Sequence, residues 1–300
     1  MNTILLTGST GFLGSHLLRR LIQESDTRVI IAKRSFSNVA KIADVLVHPQ
    51  VIAIDVDTED IEGIFKNEKI DLIIHTATEY GRSKKSIYSI LESNLMFPIR
   101  IIELGIKYKV KSFINTDSYF NKEKYSYNYL LDYSLSKKSF LLWLKNFSQD
   151  IQVVNMMLEH VFGEYDNRSK FVEDVIRSIA IENVDEFDLT YGNQRRDFIY
   201  IDDVVNAYIC VVKYLQNNSI QYKNFEVGRG ESIEIKQFVD MVKYISSSTT
   251  RLNYGRIPYR LDEIMDSHAE NKELLNIGWV PKVSVQDGLS HIILKYREKF

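Results

Sequence analysis

The first apolar run of the chain, Thr3 to Thr7, breaks at once into Gly8-Ser9-Thr10-Gly11-Phe12-Leu13-Gly14, and an amphipathic stretch from Leu13 to Glu24 follows. A β-strand that turns through glycines straight into a helix is the first unit of a parallel sheet. Gly8 suits the tight turn, Gly11 lets the backbone approach a bound diphosphate, and Gly14 permits close packing of helix on strand. The new helix points the positive end of its dipole at the turn. The spacing is G-x-x-G-x-x-G, and Thr10, Phe12 and Leu13 join the glycines as candidate cofactor contacts.

Further along, short β-branched runs alternate with longer amphipathic ones as far as residue 160. Strands are predicted at Thr3–Thr7, Val29–Ala32, Val51–Ile54, Leu72–His75, Ser112–Asn115 and Gln152–Leu158. Helices are predicted at Leu13–Glu24, Ile61–Phe65, Ile87–Tyr108 and Tyr129–Phe147. Near-continuous apolar strands such as Leu72-Ile73-Ile74 suit a sheet covered on both faces. The fold class is therefore α/β: a Rossmann-type, doubly wound parallel sheet over residues 1–160. Residues 161–300 form a smaller, interleaved substrate-binding lobe, parts of which return to the sheet. Helices are expected there at Phe171–Ile181 and Ile201–Leu215, with extended pieces at Phe187–Thr190 and Phe225–Val227.

Composition narrows the partners. Apolar content of 45% and a net charge of −2 suit a globular enzyme and give no bulk field for nucleic acid or an anionic membrane. The single cysteine, Cys210, sits in a helical pattern and reads as a buried, inert thiol. No run of eighteen apolar residues occurs, and the start lacks the basic, apolar character of a signal peptide, so a cytoplasmic protein is expected.

The residues after the second strand discriminate between dinucleotides. A free ribose diol calls for Asp or Glu at that strand's end. Here Lys33-Arg34-Ser35 stands instead, two cations and a hydroxyl that suit a 2′-phosphate. NADPH is the expected cofactor, with NADH disfavoured. Asp55, ending the third strand, is a candidate for the adenine amino group.

Chemistry enters with Tyr133 and Lys137. Tyr-x-x-x-Lys is a weak pattern, since with 18 tyrosines in 300 residues about one match arises by chance. A second match, Tyr80/Lys84, follows the fourth strand with a loop glycine, and there a shared helix face is not expected. Tyr133 and Lys137 open a long helix, where a spacing of four stacks them on one face. A cation beside the phenol is expected to lower its pKa and make it a proton donor and acceptor near neutrality.

These residues, with Asn94 and the strand-end Thr116-Asp117-Ser118, resemble the extended short-chain dehydrogenase/reductase family, also called the NAD-dependent epimerase/dehydratase family. Arg196-Asp197-Phe198-Ile199-Tyr200-Ile201-Asp202-Asp203-Val204 and Gly278-Trp279-Val280-Pro281 extend the similarity over nearly the whole chain. The resemblance implies a nucleotide-diphosphate sugar substrate and a Thr116–Tyr133–Lys137 catalytic set. Thr116 would hold the substrate oxygen, Tyr133 would transfer the proton, and Lys137 would also bind the nicotinamide ribose. It further implies cofactor contacts at Ala77 and Asn94, and a homodimer formed through Ile87–Tyr108 and Tyr129–Phe147. Within the family the similarity is to the CDP-linked dideoxysugar synthases, the abequose and paratose synthase group. It is carried by Tyr80-Gly81-Arg82, Glu92-Ser93-Asn94, Pro98-Ile99-Arg100, Leu158-Glu159-His160-Val161-Phe162-Gly163, Lys170-Phe171 and Glu226-Val227-Gly228-Arg229-Gly230-Glu231. Such enzymes reduce the C4 ketone of a nucleotide-linked 4-keto-3,6-dideoxyhexose with NADPH, for bacterial surface polysaccharide.

Departures from the family pattern sharpen this. The 4,6-dehydratases carry Thr-Asp-Glu where this chain has Thr116-Asp117-Ser118, so one of the two eliminating carboxyls is missing. At His160 the broader family has Asn facing the substrate, and a satisfied strand-end histidine is the competing reading. For the substrate, Tyr80, Arg82, Asp117, Ser118, His160 and Lys170 are candidate contacts. Arg196 and Arg260 are the expected diphosphate clamp, with Arg195 as a substitute for Arg196. Two other functions stand beside the reductase: a 4-epimerase that keeps NAD bound, against which Lys33-Arg34 weighs, and a non-catalytic NADPH-binding scaffold, which would need no proton relay.

Overall fold

A computed structural model describes the chain apart from Met1, Ser25, Ser83, Lys84, residues 126–128, Lys299 and Phe300. The Tyr80/Lys84 pair therefore lies partly outside the described residues. The chain divides into two units. The first comprises Met1–Asn121, Leu130–Met157 and Tyr208–Phe225; the second comprises Lys122–Tyr129, Leu158–Ala207 and Glu226–Phe300. Tyr208–Phe225 lies with the sheet unit, in keeping with the expected return of later segments, whereas Lys122–Tyr129 lies with the second unit, unlike a single division at residue 160.

In the first unit the elements run β1 (Asn2–Thr7), α1 (Phe12–Leu21), β2 (Thr27–Lys33), β3 (Val51–Asp55), α2 (Ile61–Asn67) and β4 (Leu72–His75). Then come α3 (Ile87–Leu91), a π-helical turn at Glu92–Met96, α4 (Phe97–Lys107), β5 (Ser112–Ser118), α5 (Leu131–Phe147) and β6 (Gln152–Leu158). The seven-stranded sheet has the order β11-β6-β5-β4-β1-β2-β3, where β11 is Tyr222–Val227. β1 pairs in parallel with β2 on one side and β4 on the other. That reversal of winding direction is the point where open α/β sheets bind ligands, beyond the strands' carboxyl ends.

Alternation within the strands builds two cores. Leu5, Ile30, Ile73, Phe113 and Val153 join Ile101 and Ile102 of α4 and Phe140 and Leu144 of α5 in one buried cluster. Their neighbours Ile4, Leu6, Ile31, Ile74 and Ile114 are buried on the opposite side of the pleat. Full burial of each such side chain contributes roughly 1.5–3 kcal/mol.

The helix predicted over Ile87–Tyr108 is interrupted by the π turn, and Pro98 supplies the reason. A proline has no N–H to donate to the carbonyl four residues back, here Asn94, and its ring crowds that carbonyl. The wider turn relieves the conflict, and such turns favour functional sites.

The second unit contains β7 (His160–Phe162), α6 (Phe171–Val175), β8 (Glu186–Asp188), β9 (Arg195–Arg196), β10 (Phe198–Tyr200) and the start of α7 (Ile201–Asn217). Phe162, Phe198 and Phe238 form its aromatic core, with Phe198 and Phe238 stacked at 4.0 Å. The Asp203 carboxylate accepts from Lys282 N and Val283 N, and Trp279 Nε1 donates to the Asp203 carbonyl. Asp197 accepts from the backbone of Arg229, Gly230 and Ala269. The two long family motifs thus tie this unit together through buried aspartates. Among the described residues no helix is long and apolar enough to cross a membrane.

Candidate active site

The glycine turn sits at the sheet's switch point. Gly8 has φ +73°, and a Cβ there would stand 2.5 Å from Ala77 N, just beyond β4. A Cβ on Gly14 would lie 2.2 Å from the Gly8 carbonyl oxygen. Neither position accepts a side chain, because strand, turn and helix pack too closely. Gly11 is different: its Cβ would meet only the Gly8 carbonyl, at 3.2 Å, so its outer side is open. Helix α1 starts there with no side-chain cap and no acidic residue in its first turn, leaving its N–H groups to an anion. These features fit a dinucleotide diphosphate.

At the end of β2 the two cations have acidic neighbours. Lys33 Nζ lies 3.2 Å from Asp55 Oδ2, and Arg34 Nε lies 3.3 Å from Asp57 Oδ1. Ser35 donates its hydroxyl to Asp55 and its N–H to Asp57. Partial burial pushes the Asp55 carboxyl up, but Ser35, the Asp57 backbone and Lys33 together hold it below its ordinary value. Asp55, the candidate for adenine, is thus engaged by Lys33 and Ser35.

The chemical cluster is built by β5, α5 and the loop after β4. Tyr133 and Lys137 share the buried face of α5, each 4% exposed. The Tyr133 ring stacks on Tyr80 at 4.9 Å and meets Phe120 edge-on at 6.3 Å, while the Arg82 guanidinium lies 5.6 Å from the Tyr80 ring centre. Ser118 hydrogen-bonds the Tyr133 phenol. Thr116 Oγ1 lies 2.7 Å from the hydroxyl of Tyr208, a fully buried residue of α7.

The Tyr133 phenol is not brought down, contrary to the expectation from spacing. Lys137 Nζ donates to the Thr116 carbonyl at 2.8 Å. Burial drives the Tyr133 phenol well above its ordinary value, and Tyr80 and Asp117 add to this against the Ser118 hydrogen bond. Burial brings Lys137 down to about 8, with Asp117 pulling the other way.

Asn94, in the π turn, spends its amide on the protein. Its oxygen accepts from Glu79 N and Thr78 Oγ1, and its nitrogen donates to the Glu79 carbonyl and Ser136 Oγ. With four bonds made, the amide is saturated. Its place is to clamp the loop that carries Tyr80 onto the helix that carries Tyr133, rather than to reach a cofactor.

In the second unit the expected anion clamp is largely committed to protein partners. Arg196 pairs with Glu263 at 2.5 Å, with both side chains buried, and also donates to the Arg195 carbonyl. Arg195, on the other face of β9, bonds the Ser232 carbonyl. Lys170 pairs with Asp166, four residues before it in the loop that leads into α6. Arg260 is exposed and lies over the Tyr129 ring at 3.8 Å. His160 packs edge-on against Phe198, and burial with the Arg196 charge keeps its imidazole neutral. Among the described residues no cluster of His, Cys, Asp and Glu could hold a metal ion. Cys210 is partly buried, and burial pushes its thiol up.

Sequence reasoning missed Tyr208 and Ser136, because α7 and α5 mark both simply as helix positions. It also missed Glu263, 67 residues from its arginine.

Residues 4–228 match the NAD dependent epimerase/dehydratase family. The chain is 36% identical to a CDP-abequose synthase of Salmonella muenchen over 97% of this chain and 96% of that protein. Against a CDP-abequose synthase of Salmonella typhimurium it is 32% identical, covering 97% of both. The fold is shared with a UDP-glucuronic acid 4-epimerase from Bacillus cereus in complex with UDP-glucuronic acid and NAD, at TM-score 0.84, 20% identity and coverage of 99% and 100% of the two chains. The chain belongs to the NAD dependent epimerase/dehydratase family.

Proposed function

We propose that this protein is an NADPH-dependent reductase of the C4 ketone of a nucleotide-linked 4-keto-6-deoxy- or 4-keto-3,6-dideoxyhexose, CDP-linked, in the making of bacterial surface-polysaccharide sugars. The observation that carries this reading is the cluster of Tyr133 and Lys137 against a strand end reading Thr116-Asp117-Ser118. That strand end holds the hydroxyls for a carbonyl oxygen but lacks the second carboxyl that elimination requires. The relatives named CDP-abequose synthase support the substrate class, and Lys33 with Arg34 supports the 2′-phosphate.

Bound NADPH would supply a hydride. The protein supplies the rest: Tyr133 gives its phenolic proton to the ketone oxygen, Thr116 or Ser118 donates a hydrogen bond to that oxygen, and Lys137, held on the Thr116 carbonyl, would bind the nicotinamide ribose. A phenol held protonated by burial suits this direction, because reduction begins with the acid. Asn94 keeps Tyr80 against Tyr133, and solvent returns the proton.

One observation favours the 4-epimerase instead. The pairs Lys33–Asp55 and Arg34–Asp57 balance the charge at the adenosine end, so a plain ribose would also be tolerated. An assay separates the two: NADPH with a panel of CDP- and dTDP-linked 4-keto sugars, followed by NMR of the product. Reduction to the 4-hydroxy sugar with NADPH consumed is expected. A failure to consume NADPH with any of the panel would end the reductase reading.

A homodimer is part of the proposal. Ile87, Tyr88 and Met96 on one stretch and Leu135, Leu142 and Trp143 on α5 are large apolar side chains left about half exposed or more. L142E together with W143E is expected to convert a dimer to a monomer by light scattering; a wild-type monomer would contradict it.

A further inference from the structure

The strand end carries one group that the reaction above does not use. Along β5, Thr116 and Ser118 are half-buried whereas Asn115 and Asp117 are buried, as two-residue alternation requires. Asp117 therefore faces away from the two hydroxyls and does not share their side of the strand.

Its carboxylate is caged. Oδ1 accepts from Ser118 N at 2.8 Å and Asn121 Nδ2 at 2.7 Å, and Oδ2 accepts from Asn155 Nδ2 at 3.0 Å. Asn155 is itself fixed by Asn115 and Asn224. All three contacts are donors. Burial pushes the Asp117 carboxyl above its ordinary value, while Lys137 and these three donors favour its ionised form.

A buried anion needs a nearby cation. Lys137 is that cation: it reaches the carbonyl of Thr116, the residue beside Asp117, and the two charges attract each other. The other titratable groups around the pair are uncharged. His75 of β4 is held neutral by burial and by Lys137. Tyr133 of α5, Tyr208 of α7 and Tyr222 of β11 all have phenols pushed up by burial, with Asp117 adding to it.

We propose that Asp117 is a positioning residue: its caged carboxylate keeps the Lys137 ammonium charged and docked at the strand end, and it does not contact the sugar. This deepens the reductase reading and rests on it for the use made of Lys137, but the charge coupling itself is independent of the substrate.

The test follows Lys137 directly, by NMR of the protein labelled with 15N at its lysine ammonium groups, with the signal assigned through Lys137→Arg. In the wild type a midpoint of about 8 is expected. Asp117→Asn should lower it by about one pH unit or more. Asp117→Glu, which keeps the charge, should restore most of the shift. Asn155→Ala, which loosens the cage but leaves the carboxylate, should cost stability and move the midpoint less than Asp117→Asn does. The alkaline limb of kcat/KM should move with the NMR midpoint in each variant. An unchanged midpoint in Asp117→Asn overturns the proposal, as does an equal shift in Asn155→Ala. So does an Asp117→Asn variant whose loss is a raised KM for the sugar with its pH limb in place. A wild type that turns over no keto sugar would count against the reductase reading alone, since the lysine titration stands without it.

Discussion

Around Lys137 the charges are buried and answered by a caged carboxylate, whereas Lys33 and Arg34 sit in a partly exposed loop beside Asp55 and Asp57. The chemical difference follows from solvent. An exposed ion pair is worth about 0–1 kcal/mol, so a bound phosphate can take over its cation at little cost. A buried charge stripped of its partner costs several kcal/mol, so its arrangement persists. Arg196 belongs with the buried kind. Its guanidinium pairs with Glu263 at side-chain exposures of 5% and 8%, against 45% and 30% for Arg34 and Asp57. An arginine so committed is a scaffold for the second unit before it is a ligand for a diphosphate, while exposed Arg260, stacked on Tyr129, changes partner more cheaply.

Substitutions can break this contrast, beginning with the largest effect. Tyr133→Phe removes the proposed proton donor, and kcat should fall by roughly 10²–10⁴. NADPH binding by fluorescence titration should be unchanged, and full activity would remove Tyr133 from the reaction. Arg196→Ala leaves Glu263 buried without its partner, and urea unfolding should show a loss of about 3–5 kcal/mol. A change within about 0.5 kcal/mol would put Arg196 with the surface cations instead. Lys33→Ala and Arg34→Ala should each leave stability within about 1 kcal/mol. Each should weaken NADPH binding by about tenfold and NADH binding hardly at all. Equal losses for both dinucleotides would mean that the loop does not read the 2′-phosphate.

Much of the frame was legible because it rests on local rules. The strand Leu72–His75 falls as its apolar run predicts, and Gly8 and Gly14 stand where backbone crowding admits no side chain. The helix over Ile87–Tyr108 was legible as helix, yet the π turn around Asn94 was not. Its cause, Pro98, is visible only once the carbonyl four residues back is considered. The site was harder to read because its partners are remote. Nothing near Arg196 announces Glu263, and nothing near Thr116 announces Tyr208, 92 residues on. The expected effect of Lys137 on Tyr133 went astray for a related reason. Spacing placed them on one face, but burial and the Thr116 carbonyl decided where the charge acts. The inward turn of Asp117 was latent in β5, since alternation alone separates it from Thr116 and Ser118.

The central claim is that a hydride leaves NADPH and stays on the sugar. NADPH carrying deuterium at the transferred position, incubated with a CDP-linked 4-keto-3,6-dideoxyhexose, measures this directly. The account expects one deuterium at C4 of the product for each NADPH consumed, with a single configuration at that carbon. Product formed without consumption of NADPH and without deuterium, as an isomer of the sugar supplied, would contradict it and make the protein an epimerase.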